Sequence, residues 1–370
     1  MAESSIAPAP PTPEAVRPPA TSVGVLGWLR ANLFNSPFNS VLTVLALAAL
    51  VYLIPGIVQW LLLEAHWQAT PEICRAAEDG ACWAFIREKF RYIMFGFYPL
   101  EQQWRPTLAM LLFVVLIGLS TQRRFWNRGL LLAWAALMMA SYVLMAGGIL
   151  GLEAVSNDKW GGLPLTLMLS VVGILLAFPL GILLALGRRS DMPAIKAVCV
   201  GYIELIRGVP LISVLFMASV MFPLFLPEGV TIDKLLRAQA AIILFAAAYL
   251  AEVVRGGLQA VPKGQYEAAA ALGLSYWQTT GLIILPQALR IAIPPIVNTF
   301  IGLFKDTSLV VIISLFDLMT TTKTSLTDPQ WLGFSVEAYL FTGLIYFVCC
   351  FFMSRFSQYL EQHLRKGRER

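Results

Sequence analysis

The chain is 370 residues long, with 58% hydrophobic residues, only 13% charged residues and a mean hydropathy of +0.71. A soluble domain carries about twice that fraction of charge, so the composition excludes a soluble enzyme, a disordered chain and a fibrous protein. Apolar runs of about 20 residues favour membrane-spanning helices over the roughly 10-residue strands of an outer-membrane barrel. The sequence therefore predicts an all-α polytopic membrane protein. The net charge of +5 needs no nucleic acid to explain it.

Taken from its amino terminus, the chain is predicted to divide into four regions. Residues 1–39 form a disordered lead, because the proline-rich start can bury too little to offset its ordering entropy. Residues 40–159 form an extension with three spans and a long polar loop at 64–105. Residues 160–358 form a transmembrane core and residues 359–370 a basic tail. The predicted spans, about eight in all, are residues 40–63, 106–121, 129–151, 163–187, 197–222, 238–258, 291–316 and 336–354.

The distribution of basic residues predicts the orientation of these spans. Most of the 27 Lys and Arg residues fall on one side when the spans alternate, and basic residues resist translocation. Both termini and the loop at 260–290 are therefore predicted in the cytoplasm, with 64–105 in the periplasm. The basic tail is expected to contact anionic membrane lipid.

Two of the five cysteines stand apart from the others. Cys199, Cys349 and Cys350 lie in apolar runs and are interpreted as small buried side chains. Cys74 and Cys82 lie in the polar loop at 64–105, where an oxidising compartment would let them pair. Whether they form a disulfide is left open.

A helix–turn–helix pattern follows the sixth span. Residues 267–272 include four consecutive alanines and favour a helix, and Gly273 can adopt the left-handed conformation that ends one. A short amphipathic segment from Tyr276 to Ile284 leads to Pro286, where proline is expected to force a bend. The small side chains of residues 264–286 predict a surface that a partner can approach closely.

Residues 264–286 resemble the EAA loop in the membrane subunits of bacterial ABC importers, the loop that contacts the ATPase, and we refer to them as the coupling segment. Two further segments resemble those of polar amino acid permeases, namely Y-x-E-x-x-R-G-x-P-L at residues 202–211 and K-D-T-S-L at 305–309. The extension at 40–159 makes the larger permeases of general L-amino acid importers the nearest likeness. The EAA pattern is carried by Glu267, Ala268, Ala269, Gly273, Ile283, Leu285 and Pro286.

The resemblance implies a type I importer core for the last five spans, in the bacterial inner membrane. It further implies four partners: a dimer of cytoplasmic ABC ATPase subunits, a homologous but non-identical second permease, a periplasmic solute-binding protein and an L-amino acid. The chain has no G-x-x-x-x-G-K-[ST] phosphate loop. It is therefore expected to bind no cofactor or metal and to be no enzyme, with ATP and Mg²⁺ held by the ATPase.

Charged residues at membrane depth mark a candidate substrate pathway. Asp306 is predicted to contact the α-ammonium or a cationic side chain of the substrate, and a structural pair with Lys305 is the alternative. Glu204 and Arg207 lie one helical turn apart and can pair with each other; an interfacial pair with no substrate role is equally open. The candidate residues are Asp306, Thr307, Ser308, Asn298, Glu204 and Arg207.

Two rival functions remain open at this point. A secondary transporter driven by an ion gradient would use Lys305 and Asp306 as its ion site, although no repeated half of the kind such transporters carry is visible. A membrane scaffold without transport activity is the second rival. The sequence does not indicate which amino acids are carried or what the first three spans do.

Overall fold

The computed structural model describes residues 24–77 and 79–366. Short 3₁₀ and π-helical turns link the α-helices, and residues Phe316–Asp317 form a two-residue strand. The α-helices are α1 (Gly24–Asn32), α2 (Pro37–Val58), α3 (Pro71–Ala76), α4 (Trp83–Phe95), α5 (Trp104–Ser120), α6 (Arg128–Ala146), α7 (Gly162–Arg188), α8 (Pro193–Arg207), α9 (Leu211–Phe216), α10 (Lys234–Gln259), α11 (Lys263–Ala271), α12 (Tyr276–Gln278), α13 (Leu285–Asp306), α14 (Leu318–Ser325) and α15 (Ser335–Lys366).

Within the described residues, seven helical stretches are long and apolar enough to cross a membrane. An eighth consists of two helices, Pro193–Arg207 and Leu211–Phe225, which meet at an angle of 104°. These stretches confirm the predicted all-α membrane protein with about eight spans. The seven are Pro37–Leu63, Leu100–Ser120, Arg128–Ala146, Gly162–Arg188, Lys234–Gln259, Tyr276–Ile313 and Ser335–His363.

Several predicted boundaries differ from the observed ones. Residues 24–32 belong to the predicted disordered lead but form α1, while residues 1–23 lie outside the described residues. The third span ends at Ala146 instead of residue 151, because Gly147 adopts a left-handed φ of 65° that terminates α6. α15 continues to Lys366 and so includes most of the predicted tail.

Residues 24–67 and 72–81 belong to one compact unit. Its main element is α2, whose amino terminus is capped by Ser36: the Ser36 hydroxyl accepts a hydrogen bond from the Asn39 backbone N–H. None of the residues of α2 is buried within the chain. A helix that is apolar all round and uncovered by protein is suited to a lipid environment.

Residues 68–71 and 82–366 belong to the second unit. Its centre is the packing of α7 on α10, with α8 and α13 against the same two helices. Gly181 of α7 makes the close approach possible, because a Cβ atom there would lie 2.7 Å from the Leu250 Cβ. Buried leucines such as Leu165, Leu169 and Leu250 fill the rest of the interface.

One helix of the predicted extension packs against the carboxy-terminal spans. The Phe85 ring of α4 lies 5.8 Å from the Trp331 ring and 6.2 Å from the Phe334 ring, measured between centroids. The Thr321 hydroxyl of α14 donates to the carbonyl of Ile93 at 2.8 Å. We call the surface formed by α4, α14 and residues 326–337 the α4 cap.

Candidate functional site

The coupling segment folds as a helix, a tight turn and a second helical stretch. α11 ends in a Schellman motif: the Leu274 N–H donates to the Ala269 carbonyl and the Gly273 N–H donates to the Ala270 carbonyl. Gly273 has a φ of +69°, a conformation that glycine adopts without the steric cost of a Cβ. The predicted role of Gly273 in ending the first helix is confirmed.

The second helical stretch is stabilised at its start and continues without a bend. The Ser275 hydroxyl and the Gln278 side chain form a capping box at α12. A π-helical turn, Thr279–Ile284, then runs directly into α13, so the predicted bend at Pro286 was wrong. The turn before Pro286 is π-helical, with the Leu285 N–H donating to the Thr280 carbonyl five residues back, and this wider turn accommodates the proline within a continuous span.

The seven EAA residues divide into an exposed group and a packed group. Ala269 is buried, and Ile283 and Leu285 pack against a buried cluster that α7, α8 and α10 share. The exposed residues are Glu267, Ala268, Gly273 and Pro286.

Beside the exposed EAA residues, the coupling segment presents a large apolar surface. Leu272, Trp277 and Leu282 are each more than 70% exposed, and Tyr276 is 56% exposed. Neighbouring exposed apolar side chains of this size mark surfaces that contact a protein partner or the membrane. The arrangement suits a partner that covers the turn.

Tyr266 anchors the coupling segment to the spans. Its hydroxyl donates to the Leu258 carbonyl at 3.3 Å and accepts from the Arg189 guanidinium at 3.2 Å, which also lies 5.7 Å above the tyrosine ring. A second link joins the Gln287 side-chain amide to Gln265 at 3.0 Å. These contacts attach α11 to the ends of α7, α10 and α13.

Five charged residues form a cluster where α7, α8 and α10 come together. Arg188 of α7 contacts the carboxylates of both Glu204, at 2.7 Å, and Glu252, at 3.1 Å. Glu252 also pairs with Arg255 at 2.7 Å and Arg207 at 3.6 Å. The predicted pairing of Glu204 with Arg207 was therefore wrong, because each finds a partner on a neighbouring helix.

Sequence reasoning missed Glu252, which contacts three arginines. The signal that could have found it is a carboxylate within an apolar span, since ionisable residues at that depth have partners or line cavities. Arg255, three residues further on, could have been identified as one partner. Arg188 and Arg207 could not, because only the packing of the helices brings them to it.

The predicted substrate residues do not form a single site. Asp306 ends α13 and is half-buried, Thr307 is buried with its hydroxyl donating to the Phe304 carbonyl, and Ser308 is half-buried. Asn298 is exposed. Lys305 is exposed and forms no ion pair with Asp306 in the described part of the chain, and the alternative of a structural pair stays a prediction.

Glu204 and Arg207 lie far from Asp306 along the bundle. Ile203 packs in the same buried cluster as Ala288, near the start of α13. Asp306 is 18 residues beyond Ala288, about 27 Å along a regular helix. The two halves of the predicted pathway therefore lie at opposite ends of α13.

A cleft of about 860 Å³ opens beside the α4 cap. Its walls combine charges of both signs with tyrosine and hydroxyl side chains, and none of the predicted substrate residues lines it. The polar lining residues include Glu88, Lys89, Arg91, Tyr92, Thr324 and Asp328.

Comparison with known proteins gives a consistent set of relatives. The family model of the binding-protein-dependent transport system inner membrane component matches residues 177–366. The chain is 53% identical over 344 residues to the inner membrane amino-acid ABC transporter permease protein YhdY of Escherichia coli strain K12, which covers 92% of this chain and 93% of that protein.

Two further proteins are similar to this chain, one over almost its whole length and one over about half of it. The glutamate/glutamine/aspartate/asparagine transport system permease protein BztC of Rhodobacter capsulatus is 42% identical over 420 residues, covering 95% of this chain and 96% of that protein. A solved chain of an amino acid ABC transporter with histidines is 31% identical, covers 55% of this chain and 92% of that chain, and has a TM-score of 0.49.

Proposed function

The chain belongs to the family of binding-protein-dependent transport system inner membrane components, and we propose that it carries polar or general L-amino acids as one permease of an ABC importer. It is a multi-pass transport subunit and not an enzyme, because ATP hydrolysis in such importers lies in a separate subunit. A permease of this family works with an ATPase and with a substrate-binding protein. The alternative of an ion-gradient-driven transporter is not favoured by these relatives.

The coupling role of residues 264–286 rests on one observation. The turn at Gly273 carries an apolar surface that the described chain leaves uncovered, while its other side is attached to α7, α10 and α13. A rigid segment with one anchored face and one open face can transmit a push from a partner to the spans. ATP and Mg²⁺ are placed on that partner, a dimer of ABC ATPase subunits.

The substrate class is supported by the relatives that match almost the whole chain. One is named an amino-acid permease and the other a glutamate, glutamine, aspartate and asparagine permease. Asp306 offers a half-buried carboxylate that can bind an α-ammonium group, because an ammonium leaving water needs an acceptor of opposite charge. Ser308 and Asn298 would add polar contacts along the pathway, whereas Thr307 already donates its hydroxyl to a backbone carbonyl.

The placement of basic residues and two cysteines support the proposed orientation. The importer lies in the inner membrane. Because basic residues resist translocation, both termini and the coupling segment lie on its cytoplasmic side in this proposal. Cys74 and Cys82 are each disulfide-bonded, which supports a periplasmic position for residues 64–105. A homologous, non-identical permease supplies the second half of the pathway, and a periplasmic binding protein delivers the amino acid.

Transport then proceeds by alternating access. Closure of two ATPase subunits on ATP draws the coupling segments of the two permeases together. The helix bundles attached to those segments move as rigid bodies, which opens the pathway to the opposite side. The anionic lipid of the inner leaflet binds the basic residues that follow the last span.

Gly273 provides the test of this function. The assembled importer in lipid vesicles is expected to take up amino acids only with ATP inside, and Gly273→Asp is expected to lower uptake about tenfold or more. A charge at the turn must be desolvated when the ATPase docks, and every 1.4 kcal/mol corresponds to about a tenfold loss. Gly273→Asn is the matched control, since Asn and Asp both tolerate the left-handed conformation.

Two outcomes would contradict the proposal. Full ATP-driven uptake by Gly273→Asp would remove the coupling role of the turn. Uptake by the wild-type importer that survives ATP depletion but fails with a protonophore would replace an ATP-driven mechanism by an ion-driven one.

A further inference from the structure

Glu252 is a carboxylate placed inside an apolar span. It lies seven residues before the end of α10, about 10 Å along the helix axis. Its side chain is only 14% exposed. A carboxylate at such a depth is stable when cations and hydrogen-bond donors surround it.

The cations come from three helices. Arg255 is on α10 itself, so this pair does not change when helices move relative to one another. Arg188 of α7 and Arg207 of α8 join Glu252 to two neighbouring helices, at 3.1 and 3.6 Å. Arg207 additionally lies 5.7 Å above the Tyr249 ring of α10. Glu252 is thus the shared anion of a contact between α7, α8 and α10.

The coupling segment is connected directly to the same end of α10. Only residues 260–262 separate α10 from α11. Tyr266 of α11 donates its hydroxyl to the carbonyl of Leu258, six residues beyond Glu252. A displacement of the coupling segment therefore also moves the end of α10 that carries Glu252 and Arg255.

On the other side, Glu252 contacts the break in the fifth span. Arg207 is the last residue of α8, and the chain turns by 104° before it continues as Leu211–Phe225. Gly208 and Pro210 in the break prevent a continuous helix. The Arg207–Glu252 contact is the longest of the ion pairs in the cluster, and it is the one that joins α10 to this break.

From these contacts we infer that Glu252 and Arg207 form an ionic latch that transmits movement of the coupling segment to the break between α8 and α9. The inference rests on the proposed function and assigns positioning roles to two residues within it. With the latch closed, α8 is held on α10. When the coupling segment moves, the latch opens and the two arms of the broken span reorient.

The test measures ATP hydrolysed per amino acid imported by the full importer in vesicles of phosphatidylethanolamine and phosphatidylglycerol. Glu252→Gln and Arg207→Gln are each expected to raise this ratio about fivefold or more, with raised ATP hydrolysis in the absence of binding protein. The double variant is expected to be no worse than Glu252→Gln alone, because that substitution already removes the contact that Arg207→Gln removes. Glu361→Gln, at an exposed position of α15, is the matched control and should change the ratio by less than about twofold.

The outcomes separate the latch from the proposed function. If wild-type vesicles show no ATP-driven uptake, the proposed function fails. If they do, and both single variants keep the wild-type ratio or their effects multiply in the double variant, the latch is wrong. If Glu252→Gln does not assemble, the ratio measured for Arg207→Gln tests the latch by itself. In that variant Glu252 keeps Arg188 and Arg255 as partners, so its charge stays paired.

Discussion

Lys89 of α4 and Asp328 are 239 positions apart in the sequence and form an ion pair, with Nζ and Oδ2 separated by 2.5 Å. The same helix is held at its start, where the Cys82 backbone N–H donates to the Glu337 carboxylate at 2.9 Å. Both contacts belong to the α4 cap, near the end of α13 that is remote from the coupling segment. The predicted extension therefore contributes a helix to the packing of the core.

The Lys89–Asp328 pair predicts a pH-dependent stability difference. The hydrogen bond from Lys89 lowers the pKa of Asp328 below its ordinary value of 3.8. A lowered folded-state pKa gives stability that is complete above the unfolded pKa and lost as pH falls through the folded one. Lys89→Met is expected to lower the unfolding temperature by about 2 °C at most between pH 5 and 7, and by progressively less as pH falls below 3.8.

That difference is measured by thermal unfolding of the detergent-solubilised protein over the pH range. Lys159→Met removes an exposed lysine that forms no ion pair within the described residues and serves as the control. A loss of stability in Lys89→Met that persists at low pH would mean that Lys89 acts through packing instead of charge.

We expect the exposed Trp277 side chain to contact the ATPase. Its side chain is 71% exposed, so Trp277→Ala should leave the stability of the chain within about 0.5 kcal/mol. Loss of a large aromatic side chain from the centre of an interface costs about 2 kcal/mol, which weakens ATPase binding roughly thirtyfold. The measurement is the ATPase concentration needed to saturate the solubilised permease pair. Equal binding by Trp277→Ala and by the control Trp104→Ala, at a residue 53% exposed at the start of α5, would exclude the contact.

We expect the Asp306 carboxylate to contribute to substrate affinity and selectivity. Asp306→Asn keeps the size of the side chain and removes the charge, so KM is expected to rise about tenfold or more while assembly is unchanged. Asp306→Glu, which restores the charge, should recover most of the affinity. Competition among acidic, neutral and basic amino acids measures the selectivity. Unchanged uptake and unchanged selectivity in Asp306→Asn would exclude a substrate role.

Cys74 and Cys82 predict a redox-dependent labelling pattern. Each is disulfide-bonded and buried, whereas Cys199, Cys349 and Cys350 carry free thiols. In a chain whose three free cysteines are replaced by serine, a maleimide should label less than about a tenth of the remaining thiols before reduction and most of them afterwards. Labelling of both thiols without a reductant would contradict the pairing and remove its support for the proposed orientation.

Local sequence features were sufficient to predict most of the spans and the turn at Gly273, although the seventh span starts at Tyr276 and not at residue 291. Hydropathy alone predicted the limits of α7 and α10 to within a few residues, because a lipid environment demands a long apolar run. Gly273 followed from the helix-forming residues before it and the absence of a Cβ. Pro286 misled the prediction, because the π-helical turn before it, which the sequence does not reveal, accommodates the proline within a continuous span.

Contacts between distant parts of the chain could not be predicted. Glu204 and Arg207 have the spacing of a helical pair, yet Arg188 and Glu252 on adjacent helices are their partners. The spacing shows which side chains can reach each other along one helix and carries no information on which helices are neighbours. The same limit applies to Lys89, whose partner Asp328 lies beyond six further spans.

The α4 cap also bears on how the polypeptide could be shortened. A chain trimmed to begin near residue 160 would lose Phe85 and leave Trp331 and Phe334 open to water or lipid. The Glu337 carboxylate, which is only 6% exposed, would also lose the hydrogen bond that it accepts from the Cys82 backbone N–H. Helix α4 is thus no detachable appendage, and a chain trimmed of it should aggregate.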